Sequence, residues 1–146
     1  MGAEDLRIRT TGSRPRSPGE TVVREKTILL IEDDRDSREI YGAMLRHSGC
    51  QVVEATDGRE GIRLAREHRP DVIVMDLGLP GMDGWAATAT LKSDPSTSHI
   101  PVVAVTVHVQ TFEREHATRV GCDTLLDKPC SPARLMGEIT RVLHDR

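Results

Sequence analysis

The sequence has no long apolar run. No stretch approaches the roughly 20 consecutive apolar residues that a membrane span requires. Met1 is followed by Gly2-Ala3-Glu4-Asp5, not by the basic and then apolar segment of a secretory signal. We therefore expect a soluble protein that stays in the cytoplasm and does not enter a membrane.

The sequence also has few cysteines and no excess of positive charge. Cys50, Cys122 and Cys130 are odd in number, show no C-x-x-C spacing and fall in or beside apolar segments. They predict buried free thiols in preference to a disulfide or a metal site. The formal net charge is −3, so the chain offers no basic surface, and direct binding to nucleic acid is disfavoured.

The chain divides into a short polar tail and one domain. Residues 1–25 are rich in Arg, Thr, Ser, Gly and Pro without apolar periodicity, which predicts a disordered N-terminal tail. Residues 26–146 are enough for one hydrophobic core and too few for two. Neither an internal repeat nor a low-complexity segment interrupts them.

Short apolar runs alternate with helical patterns throughout this domain. The alternation is typical of an α/β fold with a doubly wound, parallel sheet. The predicted strands are residues 27–32, 51–55, 71–75, 102–105 and 123–127, and the predicted helices are residues 36–48, a segment between Asp57 and Pro70, residues 85–93, residues 110–119 and a last helix that begins at Pro132. The first of these helices has Ile40, Ala43, Met44 and His47 on one side.

Carboxylates follow two of the predicted strands. Glu32-Asp33-Asp34 comes directly after the apolar run 28–31, and Asp76 comes directly after the run 72–75. Strands written as continuous apolar runs are buried on both faces, and ligands collect at the carboxyl ends of parallel strands. Carboxylates a few ångströms apart repel by roughly 4 kcal/mol per pair, so such a cluster rarely forms without a cation. The sequence thus indicates a divalent-metal site.

Two further polar residues end apolar strands. Thr106 follows the run 102–105, and Lys128 follows the predicted strand 123–127. Lys128 is one of only three lysines against seventeen arginines, so its place at a strand end is not background usage. These residues would add a hydroxyl donor and a cation to the carboxylate cluster.

Together the four strand ends provide what phosphoryl transfer to a carboxylate requires. In this interpretation Asp76 attacks in line as the nucleophile. Asp33 would be a direct Mg²⁺ ligand and Glu32 a ligand through water, because Mg²⁺ needs only one or two carboxylates and keeps several waters. Lys128 would pair with the bound phosphate as a point charge.

Taken together, these motifs resemble the response-regulator receiver domain of two-component signalling. The matching segments are Glu32-Asp33-Asp34, Asp76-Leu77-Gly78-Leu79-Pro80-Gly81-Met82-Asp83-Gly84, Thr106 and Lys128-Pro129. The resemblance covers about residues 27–145. It implies a flavodoxin-like, five-stranded parallel sheet with five helices and strand order 2-1-3-4-5, which places strands one and three side by side.

The resemblance also implies a role for each residue. Asp76 would take a phosphoryl group from a phosphohistidine of a sensor histidine kinase or a histidine phosphotransfer protein. The Mg²⁺ ligands would be Glu32, Asp33, Asp76 and the carbonyl of Gly78. Thr106 would bond a phosphoryl oxygen, and Lys128 would form the ion pair. Such a protein is not an enzyme in the ordinary sense, since it catalyses only its own phosphorylation and dephosphorylation.

The sequence departs from the family's pattern near the output side of the site. Leu125 stands where receivers commonly have Tyr or Phe, Val107 replaces the usual small residue after the threonine, and Cys130 stands where Phe often follows Lys-Pro. These changes leave the phosphorylation chemistry intact and bear on the output conformation. Because the chain ends one helix after the fifth strand, no output domain is expected, and the signal would pass to a downstream protein target.

Other interpretations remain open. The acidic residues after strand one could simply cap the next helix, Asp76 could be a turn residue and Lys128 a solvated charge. A flavodoxin-like FMN carrier would need a Ser, Thr or Gly phosphate loop after strand one, and a hydrolase of the haloacid-dehalogenase type would need Asp-x-Asp where this chain has Gly78. The main alternative is a receiver-like interaction module that works without phosphorylation, as Leu125 and Val107 suggest.

Overall fold

Strands and helices alternate along the chain. The computed structural model describes residues 22–79, 81–107 and 111–145. The elements are β1 (Thr27–Ile31), α1 (Arg35–His47), β2 (Gln51–Ala55), α2 (Gly58–His68), β3 (Val72–Asp76), α3 (Gly84–Ser93), β4 (Val102–Thr106), α4 (Thr111–Val120), β5 (Thr124–Asp127) and α5 (Pro132–His144). Each predicted element is present, and no end that was predicted differs from the observed one by more than two residues.

The strands form one parallel sheet in the order β2-β1-β3-β4-β5. This order confirms the predicted doubly wound α/β fold. Every residue of β3 and of β4 is buried, as are the last four residues of β1. These three strands lie in the middle of the sheet, and helices cover both of its faces. Side chains on both sides of each strand are therefore buried, which explains the continuous apolar runs. The edge strands β2 and β5 are only partly buried.

Two hydrophobic layers lie on opposite faces of the sheet. One contains Ile28 and Leu30 of β1 with residues of α1 and α5, and the other contains Leu29 and Ile31 with residues of α2 and α3. Neighbouring residues of a strand point to opposite faces, which explains this division. The sheet is therefore held from both sides, and its carboxyl edge has a fixed position relative to the helices that follow each strand.

Of the four residues singled out by the sequence pattern of the first helix, only Met44 packs against the core, where it is partly buried. Ile40 is 56% exposed, and Ala43 and His47 also face solvent. The helix buries Tyr41, Gly42 and Leu45 instead. The side of α1 that faces the core contains Tyr41 and Leu45 with Met44 beside them, and it leaves Ile40, Ala43 and His47 in solvent.

The packed part of the chain begins before the predicted boundary at residue 26. Val23 is fully buried in the layer that contains α1, and the amide of Glu25 donates to the carbonyl of Gly49. The remainder of the predicted tail, residues 1–21, lies outside the described residues. Within the described ranges no helix is long and apolar enough to cross a membrane. Cys50 and Cys130 are buried free thiols, and Cys122 is half-buried and also free.

Candidate functional site

The acidic ends of β1 and β3 meet at the carboxyl edge of the sheet. Ile31 of β1 lies beside Met75 of β3, so the residues that follow them, Glu32 and Asp76, are neighbours. Glu32 is 3% exposed and Asp76 is 7% exposed, whereas Asp33 faces solvent. One carboxylate oxygen from each of the three lies within 4.8 Å of the others. The predicted clustering of carboxylates from two strands is thus present in the fold.

Lys128 joins the two buried carboxylates. Its Nζ atom lies 2.9 Å from Oε1 of Glu32 and 3.5 Å from Oδ2 of Asp76. Its side chain is 19% exposed, so the ammonium is largely withdrawn from water. The backbone fixes this approach, since the amide of Lys128 donates to the carbonyl of Thr106 at the end of β4 over 2.7 Å.

The surroundings of Glu32 make its carboxyl group harder to ionise than that of an ordinary glutamate. Burial is the largest cause that raises the pKa of Glu32 to about 7, and the hydrogen bond with Asp76 adds to it, while the hydrogen bond with Lys128 opposes the rise. Burial alone would lower the pKa of the Lys128 ammonium, but the hydrogen bond and the charge of Glu32 outweigh it, so that pKa is raised. Lys128 therefore stays charged, whereas Glu32 loses its proton only near pH 7.

The loop between β1 and α1 has a defined backbone. The Glu32 amide donates to the carbonyl of Ala55 on β2, and the Asp34 amide donates to Oε2 of Glu32 over 3.1 Å. Asp34 caps α1, because its carboxylate accepts from the amide of Ser37 over 2.8 Å. The three consecutive acidic residues thus serve different purposes, and only Glu32 and Asp33 belong to the cluster with Asp76.

The loop after β3 fixes the Asp76 carboxylate. The amide of Gly78 donates to its Oδ1 atom over 3.0 Å, while its Oδ2 atom faces Lys128. The first turn of α3 lies against the same backbone: a Cβ atom at Gly84 would come within 2.5 Å of both the carbonyl oxygen of Asp76 and Cα of Leu77. Only glycine permits this approach, which keeps α3 in contact with the strand end that carries Asp76.

Thr106, the remaining predicted site residue, is the last residue of β4. It is buried, and it lies one position beyond Val105, the register partner of Asp76. Val107, next along the chain, is 62% exposed. Leu125 of β5 is half-buried and packs against the layer that contains α2 and α3. The hydroxyl role of Thr106 and the carbonyl role of Gly78 stay predictions.

The donor set fits a magnesium ion. The carboxylates of Glu32, Asp33 and Asp76 offer hard oxygen ligands from two buried positions and one solvent-facing position. Mg²⁺ takes one or two carboxylates and keeps several waters, so a partly open oxygen cluster suits it. Softer metals would call for thiol or imidazole ligands, and no Cys or His belongs to this cluster in the part of the chain that the structure describes.

Comparison with known proteins decides the family. Residues 28–140 match the model of the response regulator receiver domain, which is most of the chain. The chain belongs to the response regulator receiver family. It is 35% identical over 120 residues to the polar-differentiation response regulator DivK of Brucella anthropi, which covers 82% of this chain and 98% of that protein.

Solved receiver structures have the same fold. The chemotaxis protein CheY4 of Vibrio cholerae superposes with a TM-score of 0.78 at 26% identity, covering 81% of this chain and 98% of that one. The receiver domain of a Pseudomonas aeruginosa sensor histidine kinase superposes with a TM-score of 0.76 at 32% identity, covering 82% and 98%, and that domain has a magnesium ion coordinated in its active site cleft. This chain is thus a receiver of two-component signalling.

Three contacts of this receiver site were not anticipated from the sequence. Arg38 of α1 donates to the carbonyls of Glu32 and Asp33. Tyr41 donates its hydroxyl to the carbonyl of Cys130, which follows Lys128-Pro129, over 2.7 Å. The Tyr41 contact joins segments far apart in the chain, and the two Arg38 contacts join a helix residue to the loop that precedes its own helix. The one available signal was position: Arg38 lies in the first turn of α1, next to the acidic loop.

Proposed function

We propose that this receiver accepts a phosphoryl group on Asp76 from a phosphohistidine of a sensor histidine kinase or a histidine phosphotransfer protein. One oxygen of the Asp76 carboxylate attacks the phosphorus. The O–P bond forms as the P–N bond breaks, and the electron pair of that bond leaves with the imidazole. The observation that carries the proposal is the contact of one ammonium, Lys128, with both buried carboxylates, Glu32 and Asp76.

Each neighbour of Asp76 would have a distinct part in this reaction. The amide of Gly78 holds Oδ1 and so orients the carboxylate. Lys128 would move from Glu32 and Asp76 towards the oxygens of the incoming phosphoryl group, whose charge of about −1.5 to −2 attracts an ammonium more strongly. The Thr106 hydroxyl would donate to one of those oxygens.

Glu32, Asp33, Asp76 and the Gly78 carbonyl would hold Mg²⁺. When bound, the ion neutralises charge on the phosphoryl oxygens. Burial, and after it the neighbouring Asp76, raise the pKa of Glu32 to about 7, and the Lys128 ammonium offsets this rise only in part. A divalent cation is the natural complement of such a cluster.

The proposed output is a contact with a downstream protein target. Leu125 and the exposed Val107 favour a second candidate, a receiver-like module whose contacts do not depend on phosphorylation. An aliphatic residue at position 125 has no hydroxyl to bond near Thr106, so any link between Asp76 and the β4–α4 region must use other contacts. Both candidates share the fold, and they differ in whether Asp76 is modified.

Incubation with acetyl phosphate and Mg²⁺, followed by intact-mass measurement, tests the proposal. We expect a single added phosphoryl group that disappears in Asp76→Asn and in excess EDTA. Asp127→Asn is the matched control, because it changes the carboxylate that ends β5 instead of the one that ends β3. Absence of the phosphoryl group from the unsubstituted protein would favour the phosphorylation-independent module.

A further inference from the structure

Arg38 turns back from α1 onto the acidic loop. Its Nη1 atom lies 3.0 Å from the carbonyl oxygen of Glu32 and 3.3 Å from that of Asp33. The side chain is only 18% exposed. A single guanidinium therefore binds the backbone of both residues of this loop whose carboxylates belong to the candidate metal site.

The other side of the same guanidinium is anchored on β2. Its Nε atom lies 3.5 Å from Oε1 of Glu54, and Oε2 of Glu54 accepts from Nη2 of Arg46 over 2.9 Å. Glu54 thus faces two arginines of α1. Since the sheet fixes Glu54, Arg38 connects the loop to the rigid part of the fold as well as to its own helix.

We propose that Arg38 is a positioning residue for the metal site. By holding the carbonyls of Glu32 and Asp33 on the side of the loop that faces β2, it directs both carboxylates towards Asp76. The inference rests on the proposed function, because it assumes that Mg²⁺ binds to these carboxylates. Residues that orient the ligands of a metal typically change its affinity by 10- to 100-fold when they are replaced.

Charge and positioning predict opposite effects at this residue. Arg38 is a cation beside the site, so through-space repulsion alone opposes Mg²⁺ binding, and removal of the charge would strengthen it. If Arg38 positions the loop, its removal lets the Glu32 and Asp33 carbonyls turn away and weakens Mg²⁺ binding. The sign of the change in affinity therefore separates the two effects, which a stability measurement alone would not do.

The experiment is a calorimetric Mg²⁺ titration of the full chain and of three variants. Arg38→Met removes the charge and the hydrogen bonds. Arg38→Lys keeps the charge, but an ammonium cannot contact both carbonyls and Glu54 in the planar geometry of a guanidinium. Arg46→Met is the matched control, because it removes an equal charge and a Glu54 contact from the same helix without touching the loop.

We expect the Mg²⁺ dissociation constant to rise about tenfold in Arg38→Met and several-fold in Arg38→Lys. In Arg46→Met it should stay within about twofold of the parent value, since the charge there is more exposed and screened. Phosphorylation of Arg38→Met by acetyl phosphate should need more Mg²⁺ and approach the parent rate when Mg²⁺ is saturating. A defect that Mg²⁺ does not repair would overturn the positioning role.

Unchanged or tighter Mg²⁺ binding in Arg38→Met would also overturn it. If Arg38→Met does not fold, Arg38→Lys decides the matter: weaker binding supports the inference and parent affinity overturns it. Failure of the unsubstituted protein to bind Mg²⁺ would instead overturn the proposed metal site, and this inference with it. Binding by the parent with no loss in the Arg38 variants would leave the proposed function standing and remove only the role of Arg38.

Discussion

Lys128 and Glu32, 96 positions apart in the chain, form an ion pair of 2.9 Å at the carboxyl edge of the sheet. Glu32 is almost fully buried, so this contact is its principal source of positive charge within the described residues. The same ammonium also reaches Asp76 at 3.5 Å. Two carboxyl groups thus depend on one lysine, and the predictions below follow from that imbalance or from the packing that maintains it.

The stability of the metal-free protein should fall as the pH rises from about 4.5 to about 7. The folded chain holds the Glu32 proton up to about pH 7, whereas the ordinary pKa is 4.5, so in this window the folded state binds more protons than the unfolded state. The loss from this group should be on the order of 3 kcal/mol. Urea unfolding in EDTA across this range measures it. Glu32→Gln should flatten the slope, and an equal slope in both proteins would contradict the assignment.

Mg²⁺ affinity should increase over the same pH range. Binding requires Glu32 to lose its proton, so below its pKa of about 7 the affinity should fall by up to about tenfold for each pH unit. Above about pH 8 the affinity should level off, because the carboxylate is then ionised in the free protein. Calorimetric titrations at four or five pH values test this. An affinity that stays constant from about pH 5.5 to about 7.5 would exclude control by Glu32.

At about pH 8, where Glu32 is ionised, Asp76→Asn should raise the melting temperature of the metal-free protein by about 2–5 °C. The substitution removes one member of the crowded pair and leaves Lys128 bonded to Glu32 at 2.9 Å. The relief of repulsion should exceed the loss of the longer contact between Lys128 and Asp76. Saturating Mg²⁺ should shrink the difference, since the ion stabilises only the parent's full carboxylate set. A lower melting temperature in EDTA would argue against the crowding.

Gly84→Ala should destabilise the fold by about 2–3 kcal/mol. The new methyl carbon would lie 2.5 Å from the Asp76 carbonyl oxygen and from Cα of Leu77, and both are backbone atoms that cannot move aside cheaply. Gly137 is the matched control, because it lies on an exposed side of α5 with nothing within 4 Å of an added Cβ. Gly137→Ala should be neutral or stabilising by up to about 1 kcal/mol. Chemical denaturation of both variants gives the comparison.

Tyr41→Phe should cost about 1–2 kcal/mol of unfolding free energy. The phenol oxygen donates to the buried carbonyl of Cys130 over 2.7 Å, and phenylalanine would leave that carbonyl without this donor. The ring would keep its place in the hydrophobic layer, so the change isolates the hydrogen bond. Equal urea midpoints for the two proteins would mean that water or another group satisfies the carbonyl at no cost.

Local sequence patterns were enough to predict much of the fold and of the site of this receiver. The apolar runs at 28–31, 72–75 and 102–105 predicted buried parallel strands, and the structure has β1, β3 and β4 there. The polar residue after each run could be placed at one edge, because parallel strands end on the same side of a sheet. The motifs around Asp76 and Lys128 were specific enough to indicate the family, which the comparisons confirm.

Packing between segments that are distant in the chain was harder to predict from the sequence. The sequence pattern of α1 singled out Ile40, which is 56% exposed, while Tyr41 is the residue that reaches the core and Cys130. Helical periodicity tells which residues share a side, but a short, mixed helix leaves the choice of side to its neighbours. The contacts of Arg38 with the acidic loop could not be predicted for the same reason, since they depend on where β2 places Glu54.

By itself, then, the sequence determined the parallel sheet, its succession of strands and helices, and the carboxylates and lysine that its strand ends present. These features depend on burial of whole strands, which leaves a continuous apolar pattern in the chain. Only the tertiary structure decided that Lys128 bonds Glu32 as well as Asp76, that Glu32 retains its proton to about pH 7, and that Gly84 must lack a side chain. Those properties depend on atoms brought within a few ångströms from separate segments, and no local pattern records such distances.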